Sequence, residues 1–76
     1  MNWTNPYYGV QHLPAGKRIA ELKRYCSVRD YGKFAILSTK VRRPDDSWAM
    51  GEQWFETADE ARTAGEQWIG ICDRFN

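Results

Sequence analysis

Little in this 76-residue chain can hold a metal or attack a bond. Cys26 and Cys72 are its only cysteines and His12 its only histidine. None of the three stands in a CxxC or Cys/His cluster. A structural zinc site draws on a full Cys/His quartet in close pairs, so no metal site is expected. The two thiols could form a single bridge; packing as small buried hydrophobes is the simpler reading. No Gly-rich phosphate loop or dinucleotide fingerprint is present, so no cofactor is expected. Nucleophilic catalysis needs a Ser or Cys beside a base, and the one imidazole lies in a stretch flanked by Pro and Gly. The paired carboxylates Asp45/Asp46 and Asp59/Glu60 have structural explanations, in a turn and at a helix start. The chain reads as no enzyme.

Long apolar runs are missing too. A membrane helix needs about 18 or more consecutive apolar residues, and no such run exists. The opening Met1-Asn2-Trp3-Thr4-Asn5-Pro6 lacks the basic and then apolar pattern of a secretory signal, so a cytoplasmic location is expected.

What is present is aromatic and charged. Four Trp, four Tyr and three Phe are many for this length. A chain this short hides only about 60% of the surface its unfolded form exposes, and large rings compensate by burying more area each. The formal charge of +1 conceals a polarity: residues 1–43 carry a net +7 and residues 44–76 a net −6. The basic half holds Lys17, Arg18, Lys23, Arg24, Arg29, Lys33, Lys40, Arg42 and Arg43.

Residues 1–16 read as an arm, interrupted by Pro6, Gly9, Pro14 and Gly16 but too aromatic to be disordered. A single α+β domain follows over residues 17–76. Between Lys17 and Val28 helix and strand periods coexist: Ala20, Leu22, Cys26 and Val28 share a strand face, while Ile19, Leu22 and Cys26 share a helix stripe. Tyr25-Cys26-Ser27-Val28 favours a strand over at least residues 22–29, with room for a helical turn before it. Asp30-Tyr31-Gly32 signals a turn in which Gly32 is free to take positive φ. Phe34–Val41 reads as a central strand, Pro44-Asp45-Asp46-Ser47 as a turn, and Trp48–Phe55 as the returning strand. Thr57-Ala58-Asp59-Glu60 is a capping box opening a C-terminal helix. Its apolar stripe runs through Ala61, Ala64, Gly65, Trp68, Ile71 or Cys72, and Phe75. Gly65 costs such a helix about 1 kcal/mol against Ala, which is tolerable if its backbone must approach the sheet. The expected fold is a three-stranded antiparallel sheet with one helix across a face, in the order β-β-β-α.

From Tyr25 to Gly70 the pattern resembles small bacterial proteins of unassigned function. In those, a Gly-Lys-Phe strand start precedes a Phe-x-Thr-x-x-Glu-Ala capped helix ending in Trp-Ile, matched here by Gly32-Lys33-Phe34, Phe55–Ala61 and Trp68-Ile69. The resemblance implies the fold and little about activity. With residues 17–24 helical, the order would look like a double-stranded-RNA-binding domain. That family carries a lysine-rich helix start, and Thr57-Ala58-Asp59-Glu60 departs from it.

Both faces of the hairpin are apolar, with Phe34, Ile36, Trp48, Met50 and Trp54 on one and Ala35, Leu37, Val41, Ala49 and Phe55 on the other. One helix covers one face, so either the arm or a second molecule covers the other, and the first set is the candidate partner-binding surface. The sequence thus points to a small protein-interaction module that binds a protein or itself as a homodimer. The alternative is a nucleic-acid-binding accessory or regulatory protein using Lys17, Arg18, Lys23, Arg24, Lys40, Arg42 and Arg43. A pI near 7.8 ranks the protein partner first.

Overall fold

A computed structural model describes the backbone from residue 3 to residue 74, with side chains as far as Ile71. Expectations for Cys72 and Phe75 fall outside those described residues. Four strands form one antiparallel meander in the order β1 (Val10–Leu13), β2 (Arg24–Asp30), β3 (Ala35–Arg42) and β4 (Trp48–Phe55). The helix α1 (Ala58–Arg74) follows and packs across one face.

The α+β class and the C-terminal helix agree with the sequence, but the sheet has four strands rather than three. The additional strand comes from the stretch read as an arm. Val10–Leu13 pairs with β2 in the register Val10↔Arg29 to Leu13↔Cys26. The residues before it fold back on its outer edge. The Thr4 amide donates to the His12 carbonyl, the His12 amide to the Thr4 hydroxyl, and Tyr7 and Val10 exchange backbone bonds. Residues 17–24 divide: Ile19–Glu21 is a short 3-10 turn, and the strand begins at Arg24.

The turns form for the reasons their residues suggest. Gly32 sits at φ +84, and its amide donates to the Asp30 carboxylate. In the β3–β4 turn the Ser47 amide and hydroxyl both donate to Asp45, and the resulting stabilisation of the anion holds the Asp45 carboxyl below its usual range. Thr57 caps α1 by accepting from the Glu60 amide at 3.2 Å. Its own proton goes to the Glu60 carboxylate.

Because side chains alternate along each strand, the register sorts them into rows. Rows under the helix are Gln11–Val28–Leu37–Gln53 and Leu13–Cys26–Thr39–Gly51, with Ala35 beside Phe55 at one end. Leu13, Cys26, Val28, Ala35 and Leu37 join Ala61 and Ile69 of the helix in the core. Burying a side chain such as Val28 or Leu37 is worth about 1.5–3 kcal/mol. The helix stripe runs through Ala58, Ala61, Gly65 and Ile69, and Ile71 faces outward. Gly65 lets the helix lie close: a Cβ there would stand 2.9 Å from the Trp3 ring, 3.1 Å from Cys26 Sγ and 3.2 Å from Leu37 Cδ1. Trp3 reaches over this helix side of the sheet, its Nε1 donating to Glu66. The arm therefore covers an edge and part of the helix face, and leaves the opposite face open.

Candidate functional site

The open face is built from the other four rows: Val10–Arg29–Ile36–Trp54, His12–Ser27–Ser38–Glu52, Tyr25–Lys40–Met50 and Arg42–Trp48. All five residues expected to bind a partner are there, since Phe34 stacks on Trp54 at the head of β3. Of the expected basic residues, Lys40 and Arg42 share this face. Arg24 belongs to the helix side, Arg18 pairs with Glu21, Arg43 bonds Ser47 in the turn, and Lys17 and Lys23 are exposed beside the 3-10 turn. Aromatic and basic sets that the sequence kept apart thus meet on one surface.

One end of the face is closely packed. Tyr25 is buried between the edge of Trp48, with ring centres 5.1 Å apart, and the Lys40 ammonium 5.3 Å from its ring. Arg42 lies over Trp48 and spends its donors on the 3-10 turn: Nε on the Leu22 carbonyl, Nη2 on those of Ile19 and Ala20. Arg42 is thus a fixed positive charge and a clamp at once, unlike the free surface cation the sequence suggests. His12 flanks Tyr25, and its pKa is lowered by partial burial first and by the nearby Lys40 second. On the helix side of the sheet, burial and then Glu66 push the Cys26 thiol up to about 12, so it is an inert core group.

The other end presents flat rings. Tyr31, Phe34 and Trp54 stack at 4.8 and 4.5 Å, interplanar angles 22° and 17°. The Arg29 guanidinium sits over Tyr31, and Trp54 is 63% exposed. Beside Arg29, across the sheet from Trp54, an open groove of about 590 Å³ is lined by Thr4, Asn5, Tyr7, Tyr8, Val10, His12 and Arg29. Tyr7 and Tyr8 are 75% and 87% exposed.

These tyrosines carry a signal that the sequence reading passed over. Tyr8 and Gly9 form the tip of the Tyr7–Val10 hairpin at φ 51 and φ 73. Positive φ at both central positions is the type I′ arrangement, for which Asn-Gly is the usual solution. A tyrosine there pays for a left-handed backbone and buries almost nothing in return. The ring's one printed contact is edge-on with Tyr7, centres 4.6 Å apart, and that pair is itself exposed. Tyr7, Tyr8, Tyr25, Arg29 and Tyr31 were absent from the expected site; the legible clue was Tyr8-Gly9 in a turn position.

Charge is sorted by face as well as by sequence half. Arg29, Lys40 and Arg42 stand on the open face with Glu52, Arg42 also facing Asp46 of the β3–β4 turn at 4.0 Å, while Asp59, Glu60 and Glu66 ride on the helix behind. Among the described residues no group of His, Cys, Asp and Glu could hold a metal ion, and no helix is long and apolar enough to cross a membrane. No family model matches the chain, and neither a curated protein nor a solved structure is detectably similar to it.

Proposed function

We propose that the chain is a small non-enzymatic binding module whose open sheet face takes single-stranded nucleic acid. The observation that carries this reading is the row Val10–Arg29–Ile36–Trp54, with a two-tyrosine hairpin tip at one end, a stacked ring column at the other and a guanidinium between them. Exposed rings stack on unpaired bases at about 1–3 kcal/mol per base, and cations along the track neutralise phosphates. A duplex would hide the base faces that Trp54 and Tyr8 are placed to meet.

The neutral pI ranked a protein partner first, but composition averages over two faces of opposite sign. A basic, aromatic face repels a second copy of itself and suits a polyanion with planar groups. An acidic protein docking on the same face remains the competing reading, and its signature is binding without oligonucleotide competition. Titrating the protein with a mixed-sequence single-stranded oligonucleotide while recording tryptophan fluorescence tests the proposal. Stacking on Trp54 quenches its emission; a flat titration at low salt refutes the reading.

A further inference from the structure

The two edges of the sheet are treated differently. The outward backbone groups of β1 are satisfied: Tyr7 and Val10 exchange bonds, and Thr4 takes both the amide and the carbonyl of His12. The other edge, β4, is an eight-residue strand, Trp-Ala-Met-Gly-Glu-Gln-Trp-Phe, without Lys, Pro or bulge. Long unguarded edges are templates for pairing with another chain.

Which groups of β4 point outward follows from the ladder. The Arg43 amide bonds the Ser47 carbonyl and the Arg42 amide bonds Lys23, so odd residues of β3 face β4 and even ones face β2. Partners in register then direct Ala49, Gly51, Gln53 and Phe55 inward to β3. Trp48, Met50, Glu52 and Trp54 direct their amides and carbonyls outward, and among the described residues nothing meets them.

We propose that β4 pairs antiparallel with β4 of a second copy, about a two-fold axis through Gly51, to make a continuous eight-stranded sheet. A two-fold perpendicular to the sheet keeps the open faces of both copies on one side. Only same-parity residues can then lie opposite each other, so the axis passes through a residue. Centring on Gly51 sets Trp48 opposite Trp54 and Met50 opposite Glu52, each twice, and engages every outward group of the four even residues. Centring on Glu52 would set two carboxylates face to face. A Gly at the axis also brings no side chain to the crossing point. The basic ends of the two open faces stay apart, joined through an aromatic seam that includes Trp54 of the open face, and the pairing is tested on the free protein, without oligonucleotide.

Light scattering or sedimentation of the free protein tests the pairing and its register, with circular dichroism confirming that each variant folds. The wild type is expected at twice the 8.9 kDa of one chain in the micromolar range. Met50→Glu places two like-charge cross-strand pairs against Glu52 and should weaken the dimer on the order of tenfold, and adding Glu52→Lys to it should restore the dimer, with Lys40 opposite position 50 in both variants. Glu52→Pro removes an outward amide without touching the β3 ladder and should give a folded monomer. A wild type that stays at 8.9 kDa up to millimolar concentration overturns the proposal. So does a dimer indifferent to charge at position 50, which would require another register or another surface.

Discussion

The guanidinium of Arg42 lies 4.3 Å from the centre of the Trp48 ring while its Nε donates to the Leu22 carbonyl at 3.0 Å. One side chain therefore joins the end of β3, the start of β4 and the 3-10 turn leading into β2. Lysine keeps the charge but lacks the planar fork that serves three carbonyls and the ring together. Arg42→Lys should lower stability by about 1–2 kcal/mol through the lost charged hydrogen bonds. For a domain this size each kcal/mol is roughly 4–8 °C in Tm, read by thermal melting. An unchanged Tm would show that the turn is held by something else.

Gly65 gives a prediction that runs against helix propensity. Alanine gains about 1 kcal/mol in an exposed helix interior. Here its Cβ would stand 2.9 Å from the Trp3 ring and 3.1 Å from Cys26 Sγ, and overpacking of that kind costs about 1–3 kcal/mol. Gly65→Ala should therefore leave Tm lower or, at best, unchanged. A rise matching the propensity gain would mean that the helix and sheet do not approach as described.

At Tyr8, stability and binding should part. The left-handed backbone costs an ordinary residue about 1–2 kcal/mol and asparagine less. Tyr8→Asn relieves the backbone but gives up the edge-on contact with Tyr7, so Tm should hold or rise slightly while oligonucleotide binding weakens in the same protein. A variant that melts higher and binds as well as the wild type would return the ring to an accident of sequence.

The hairpin, the helix start and the face assignment were legible because each had a local cause. Asp30-Tyr31-Gly32 and Pro44–Ser47 are turns by their own chemistry, Thr57 is a cap by its hydroxyl, and strict alternation from Phe34 to Phe55 sorted the faces. β1 escaped because its two apolar residues, Val10 and Leu13, have opposite parity, so no period of two is visible. Leu13 enters the core while Val10 lies on the open face, and only pairing with β2 explains both. The site was half legible for a similar reason. Trp54, Met50, Lys40 and Arg42 could be named from their strands, but whether rings and cations share a face depends on the register across strands. Arg29 joins Trp54 only through Ile36, a relation between three strands that no local pattern encodes.

Salt dependence of binding tests the central claim most directly. On a single strand the logarithm of affinity falls by about 0.7 per neutralised phosphate for each logarithm of salt, so Arg29, Lys40 and Arg42 together predict a slope of about 2. Fluorescence titrations with a single-stranded oligonucleotide from about 50 to 200 mM salt should give that slope with quenching of Trp54. Arg29→Glu combined with Lys40→Glu should flatten it and abolish most binding, with circular dichroism confirming that the fold survives loss of the Lys40 contact with Tyr25. Trp54→Ala should lose about 1–3 kcal/mol of affinity with the slope unchanged. No binding at the lowest salt, or binding whose slope survives the double reversal, would contradict the assignment of the open face to nucleic acid.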